Sequence, residues 1–376
     1  MKKLYIVFDR VPSTSSGGLV ATYIRLVELL KHDYDIEIIS IFDADQSNKD
    51  QFKNNKINVM NGYKINLDFK NILQYVKEKR FLKCLSCIGN ILYYFMSIPY
   101  NRKKIKNLVK NDKVIVSSPS AAIFMPKQID FILELHIRYE YFFGTNKLGR
   151  LQSKLMTKPH LMLFRSKIDA KKAKKDGYNA SYIYNFFDNK DINLDTTIKD
   201  RKNKIIFLGR LEKQKNPDKL MRVMCELKKI QPDFTLDIYG TGSLEQYLKK
   251  RITELHLENN VFMKGFTTNK NIYQHYSMLV MTSRDEGFPL TVIEAKANAT
   301  PTVTNIWGDA VYETVKDGID GFIVDDDKEM AIKISEILND DTLLDTLCNN
   351  SLKEYNQFSS ATARKRWIQI LNGGKK

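Results

Sequence analysis

Residues 204–240 read KIIFLGRLEKQKNPDKLMRVMCELKKIQPDFTLDIYG. The apolar run KIIFLG, closed by a glycine, reads as a buried strand. A polar turn follows. Pro217 to Ile230 then carries apolar residues at helical spacing, with proline in the first turn, where its missing N–H costs nothing. FTLDIYG is a second strand. Strand, glycine turn, helix, strand is the unit of a parallel α/β sheet. The rhythm continues with a helix from Leu244 to Leu255 and strands NVFMKG, LVMTS, PTVTN and GFIV.

The same rhythm opens the chain. LYIVF (Leu4 to Phe8) is a strand, VPSTSSGG a loop, and LVATYIRLVELL a helix with Leu19, Tyr23, Leu26, Val27 and Leu30 on one face. YDIEIISIF alternates as a strand, and KVIVSS, DFILELH and HLMLFRS add more. SKIDAKKAKKDG reads as a helix ending at Gly177. Between the two series, SYIYNFFDNKDINLDTTIKDRKN loses periodicity, which places a linker near residues 185–202. The expected fold class is α/β, with two doubly wound Rossmann-like domains facing a central cleft. Ligands of such sheets bind at the carboxyl ends of the strands.

The chain has 376 residues, which suits two domains, and its 43% hydrophobic content excludes a disordered protein. Cys84 and Cys87 form a C-x-x-C without the second pair a zinc site needs, and read as reduced cysteines on a helix. MKKLYIVFDR does not read as a signal peptide, because its apolar run is one strand long and meets Asp9 and Arg10. The longest uncharged run, Cys84 to Tyr100, falls short of the roughly 20 residues of a spanning helix. The expectation is a cytoplasmic protein, with peripheral contact to the inner face of the cell membrane left open. The formal charge of +16 has three candidate partners: nucleic acid, an anionic membrane surface or a phosphorylated substrate. Leu67 to Lys110 reads as two helices with basic clusters (Lys77, Lys79, Arg80 and Lys83, then Arg102 to Lys110) around aromatic and aliphatic residues. Two readings fit it: an interfacial helix on anionic lipid, or a solvated basic face over a buried one.

Three motifs sit at strand ends of the second series. Arg210 and Lys215 in GRLEKQKN offer a planar donor fork and a point charge, a pairing suited to a diphosphate. The alternative is two surface cations before a helix. Gly240 and Gly242 in IYGTGS let backbone approach a ligand, although many such turns use glycine for geometry alone. SRDEGFPLTVIEA (283–295) places Glu286 and Glu294 either side of a helix start. Pro289 is expected in the first turn, with Gly287 and Phe288 before it, where free N–H groups and the helix dipole favour an anion.

GRLEKQKN followed by SRDEGFPLTVIEA resembles the retaining glycosyltransferases of family 4, which have the GT-B fold. SSGGL after the first strand, IYNFFD at the linker and DGIDGFIV near the end extend the resemblance over most of the chain. It implies that Arg210 and Lys215 hold the diphosphate of a nucleotide-sugar donor, that Glu286 lies by the transferred sugar, and that Glu294 binds the ribose. It adds Gly17, Gly18, Gly240, Gly287, Phe288 and Leu290 to the donor site and places His136, catalytic with Glu286, beside the sugar. A hydrogen-bonded, half-buried histidine is the competing reading of His136. The resemblance also implies domains at 1–184 (acceptor-binding) and 185–357 (donor-binding), with a helix in 358–376 crossing back to the first domain.

The expected reaction moves a hexose or N-acetylhexosamine from a nucleotide diphosphate sugar, UDP-linked by preference, to a hydroxyl of a lipid-linked or polymeric glycan in bacterial surface polysaccharide synthesis. Residues eight apart on a helix are separated by roughly 12 Å of rise, so the glutamates read as binding groups rather than a hydrolase pair, whose carboxyls lie about 5 Å apart. The strings DAD (Asp43 to Asp45) and DDD (Asp325 to Asp327) read as turns. No cofactor, no essential metal and no nucleic acid partner are expected. The rival readings are a nucleotide-sugar epimerase and a non-catalytic glycosyltransferase-like partner protein.

Overall fold

A computed structural model describes residues 2–12, 18–64, 80–144, 147–190, 192 and 194–373. Gly17, Lys77 and Lys79 lie outside the described residues. The chain divides into two compact units, Met1–Phe164 with Asp169–Tyr182, and Arg165–Ile168 with Ile183–Lys375.

The first unit holds a seven-stranded sheet in the order β3-β2-β1-β4-β5-β6-β7. Its strands are β1 (Lys2–Phe8), β2 (Tyr34–Phe42), β3 (Ile57–Asn61), β4 (Lys113–Val116), β5 (Ile132–Leu135), β6 (Leu161–Phe164) and β7 (Ala180–Tyr182). Every pairing is parallel. The second unit holds six parallel strands in the order β10-β9-β8-β11-β12-β13. These are β8 (Lys204–Leu208), β9 (Thr235–Tyr239), β10 (Val261–Gly265), β11 (Met278–Met281), β12 (Thr302–Thr304) and β13 (Gly321–Ile323). In both sheets the strand order reverses beside the first strand, between β1 and β4 and between β8 and β11. Such switch points leave a crevice at the carboxyl strand ends.

The apolar runs of the second sheet are buried on both faces. Ile205 and Phe207 of β8, with Met278 and Val280 of β11, face the core built with Leu220, Val223, Met224 and Leu227 of the helix Pro217–Ile230. Ile206, Leu279 and Met281 face the other core, with Val292 and Ile293 of the helix Leu290–Ala297. Successive side chains alternate between faces, so a strand covered on both sides reads as a continuous apolar run. β3 and β7 have no counterpart among the expected strands. Both are sheet edges, β3 carrying Asn58 and Asn61, and an edge strand needs less apolar sequence.

Two boundaries differ from those the sequence suggests. The segment near 185–202 is not a free linker. Phe186 and Phe187 are buried, Arg201 is buried with its Nη1 donating to Ala299 O at 2.8 Å, and all three belong to the second unit. The last helix, Ser360–Leu371, also belongs to the second unit rather than the first. Its entry is pinned there: Phe187 N donates to Phe358 O at 3.1 Å, Phe187 and Ser359 form a parallel bridge, and Phe358 packs edge-on against Phe288.

Candidate active site

The loops leaving β8 and β9 stay paired beyond the sheet. Gly209 N donates to Tyr239 O at 3.0 Å and Leu211 N to Thr241 O at 2.9 Å. Gly240 has φ +141°, and a Cβ there would stand 1.9 Å from Gly209 O. A Cβ on Gly242 would stand 2.5 Å from Leu211 O. The two glycines therefore let one loop lie directly on the other.

That contact shapes the turn carrying the basic pair. The stem of Lys215 passes over Gly209, where an added Cβ would lie 3.2 Å from its Cε. Asn216 adopts the left-handed conformation (φ 50°) and turns the chain into the helix Pro217–Ile230. Lys215 Nζ then reaches Glu286 Oε1 at 2.7 Å, with the two side chains only 13% and 10% exposed. Gln214 fastens the two loops together: its side chain donates to Asp285 O and its carbonyl accepts from Arg284 N, both at 2.8 Å. The loops after β8 and β11, neighbours across the switch point, thus meet in a half-buried ion pair. Arg210 leaves the same strand end exposed, bound to no carboxylate among the described residues.

Phe288 is buried and stacks on Tyr184 at 5.0 Å, while its carbonyl accepts from Asn185 Nδ2 at 2.7 Å. The expected place of Pro289 needs correction. It is the N-cap, with extended backbone (ψ 123°), and the helix begins at Leu290. Either position tolerates a missing N–H, so the sequence rule could not separate them. No side chain caps this helix start.

Glu294 lies one turn further along and is buried. Tyr273 Oη donates to its Oε2 at 3.2 Å, and Lys270 Nζ stands 3.3 Å from its Oε1. Asn298 and Thr300 tie that segment to the helix end by donating to Lys270 O and Tyr273 O, both at 2.9 Å. Glu286 and Glu294 therefore hold different partners on different sides of the helix start. Lys270 and Tyr273 escaped the sequence reading because Lys270 lies in a turn and Tyr273 in the short helical turn Ile272–His275 that follows, neither with motif or periodicity, and only tertiary contact brings them to Glu294. The pair Lys296–Asp320, 2.5 Å apart and wholly buried, escaped it as well. Burial pulls the Lys296 ammonium below its usual range, against the opposing pull of Asp320.

In the first unit, His136 follows β5. Its Nε2 lies 3.2 Å from Tyr23 Oη on the helix Gly18–Leu30 and 3.7 Å from Glu134 Oε2. Gly18 opens that helix and is exposed. The aspartate strings hold protein partners. Asp43 pairs with Lys49 at 2.6 Å and Asp45 with Lys64 at 2.8 Å. Asp325 accepts from Ile306 N, Asp326 caps the helix Asp327–Asn339, and Asp327 pairs with Lys219 and Arg222.

Residues 188–357 match the family model for glycosyl transferases, group 1. This segment is similar to group 1 glycosyltransferase domains. Arg210, Lys215, Gly240, Glu286, Gly287, Phe288, Leu290 and Glu294 all fall inside the matched segment. Over 178 residues the chain is 28% identical to the poly(glycerol-phosphate) alpha-glucosyltransferase of Bacillus subtilis, covering 46% of this chain and 26% of that protein. Over 184 residues it is 26% identical to a diNAcBac-PP-undecaprenol-glycan alpha-1,4-N-acetyl-D-galactosaminyltransferase of Campylobacter jejuni, covering 48% of this chain and 51% of that protein. The matched stretches thus span about a quarter to a half of these curated relatives. A solved structure of an S. aureus TarM variant in complex with Fondaparinux, alpha-GlcNAc-glycerol and UDP superposes over 99% of this chain and 100% of its own, with TM-score 0.75 at 15% identity. The fold is GT-B, two parallel-sheet Rossmann-like units.

Proposed function

We propose that this chain is a retaining hexosyl- or N-acetylhexosaminyltransferase of the family 4 type. It uses a UDP-sugar and glycosylates a hydroxyl of a polymeric or lipid-linked acceptor in bacterial surface polysaccharide synthesis. The observation that carries the reading is the Lys215–Glu286 pair at the β8–β11 switch point, beside the exposed Arg210. One cation has no carboxylate partner among the described residues and the other is held by an acid that a sugar can replace, which suits a diphosphate with a sugar at its end.

In this reading Arg210 and Lys215 stabilise the leaving diphosphate, helped by the backbone N–H groups at the start of the helix Leu290–Ala297. Glu286 accepts from hydroxyls of the transferred sugar. Glu294, held by Tyr273 and Lys270, accepts from the ribose hydroxyls. The separate partners of the two glutamates support binding roles over a nucleophile and acid pair. The leaving phosphate takes the acceptor proton as the acceptor attacks from the same face, so positioning and charge stabilisation do the protein's share. No cofactor or essential metal takes part, a reading supported by the caps and ion pairs that already hold Asp325, Asp326 and Asp327. Gly17, Gly18 and His136 belong to the same reaction, with the first unit receiving the acceptor. The site is cytoplasmic, where nucleotide sugars are made. The polymer and lipid-linked acceptors in the relatives' names support the acceptor class. A non-catalytic partner or an epimerase has no need of both cations together with both glutamates.

A thermal-shift screen of UDP- and GDP-sugars in EDTA tests this. A ligand at 100 times its Kd stabilises by about 2.7 kcal/mol, which for a unit of this size raises the melting temperature by roughly 5–10 °C. No shift with any nucleotide sugar overturns the proposal, and a shift that requires added divalent metal overturns its metal-free part.

A further inference from the structure

Among the described residues no single helix is long and apolar enough to cross a membrane. The helix Phe81–Met96 nevertheless breaks the rule for a surface helix. Its inner face is packed in the first unit: Tyr94 lies 4.8 Å from the Phe124 ring and donates to Ser120 O, and Cys87 is buried. The opposite face should be charged, yet no charged residue occurs from Cys84 to Tyr100. Phe81, Leu85, Ile88, Leu92 and Met96 recur every three or four positions and form one exposed stripe. Leu85 is 64% exposed, Leu92 58% and Met96 79%, with Leu82 beside them at 84%. A helix apolar on both sides lacks, among the described residues, a partner on one.

The charge around the stripe selects that partner. Arg80 and Lys83 stand at its start, and Arg102, Lys103, Lys106 and Lys110 follow on the helix Ile98–Leu108 and just beyond, with no Asp or Glu from 80 to 111. A second copy of the chain would set these cations against their own kind. An anionic leaflet accepts both features, apolar side chains into the acyl boundary and lysines among the headgroups. The helix has 16 residues, about 24 Å, short of the roughly 30 Å hydrocarbon core, and its inner face stays bound to the unit. It therefore lies in the interface and does not span it.

We infer that the helix Phe81–Met96 is an interfacial anchor that docks the first unit on an anionic phospholipid surface. Of the two sequence readings, a solvated basic face over buried apolar residues fits the helix Ile98–Leu108, where Ile105 is buried beneath exposed Lys103 and Lys106, but not the helix Phe81–Met96, whose apolar stripe is the exposed face. The inference is independent of the donor site, since vesicle binding is measured without nucleotide sugar.

The full chain should co-sediment with vesicles of phosphatidylcholine mixed with phosphatidylglycerol, and far less with phosphatidylcholine alone. Leu85→Gln/Leu92→Gln should weaken partition by an order of magnitude or more, and Lys103→Gln or Lys106→Gln about fivefold each, with wild-type binding falling as salt rises. Both leucines are exposed, so the double variant should melt as the wild type does. If it does not, Leu85→Trp with brominated lipid gives a second readout: quenching is expected. No partition into anionic vesicles, equal partition into neutral ones, an unaffected double variant or an unquenched tryptophan each overturns the inference. A concentration-dependent dimer that the double variant abolishes, without vesicle binding, assigns the face to a second copy and overturns it too.

Discussion

The Lys215–Glu286 pair makes a prediction whose sign is informative. Two unit charges 2.7 Å apart attract by roughly 6 kcal/mol at an effective dielectric of about 20, most of it offset by desolvation of side chains only 13% and 10% exposed. The pair is then worth about 1 kcal/mol net, and removal of one partner costs about 2–3 kcal/mol because the other charge stays half-buried. If Lys215 serves the donor diphosphate, the pair competes with the ligand. Glu286→Gln releases the lysine and should tighten UDP about fivefold while turnover falls. Lys215→Met removes the cation and should weaken UDP about 10- to 100-fold, the loss of a charge-assisted hydrogen bond. It should also lower the melting temperature by roughly 4–10 °C. Titration calorimetry with UDP, which lacks the sugar, separates the two roles. If Glu286→Gln weakens UDP as much as Lys215→Met does, Glu286 contacts the nucleotide and the competition argument fails. If Lys215→Met binds UDP like the wild type, the lysine is not at the diphosphate.

Gly240→Ala should lower stability by about 3 kcal/mol or more, roughly 6–12 °C in melting temperature. It combines a φ of +141° with a Cβ 1.9 Å from the Gly209 carbonyl, which cannot swing aside as a side chain would. A drop below 2 °C would mean that the β8 and β9 loops separate freely. Tyr273→Phe removes the buried hydroxyl that donates to Glu294 and should weaken UDP several-fold, since a hydrogen bond to a charged group contributes about 1.5–3 kcal/mol. A lowered melting temperature with unchanged UDP affinity would leave Tyr273 a purely structural residue and take Glu294 away from the ribose.

Much of this protein is decided by local pattern. Runs such as LYIVF and KIIFLG are buried on both faces of a parallel sheet, and that requirement writes itself into consecutive residues. The helix Pro217–Ile230 begins at its proline and keeps its apolar face toward β8, so its limits are legible in one dimension. The pairing of Glu286 and Glu294 around a helix start, with Arg210 and Lys215 at another strand end, is equally local. Edge strands are harder: Ile57–Asn61 and Ala180–Tyr182 meet a neighbour on one side only and need no continuous apolar run.

What remained for the tertiary structure are the choices between residues distant in sequence. No spacing places Lys215 on Glu286, Tyr273 on Glu294 or Lys296 on Asp320, because each contact spans a loop whose path follows from the packing of two strands and their glycines. The same holds for the polar stretch near 185–202 and the last helix. Both look independent in sequence, and both are drawn into the second unit by Phe187, Tyr184 and Phe358. The helix Phe81–Met96 is the sharpest case. Sequence shows that it is apolar and flanked by lysines. Only the fold determines which face is used by the core, and therefore that a whole apolar stripe is left facing outward.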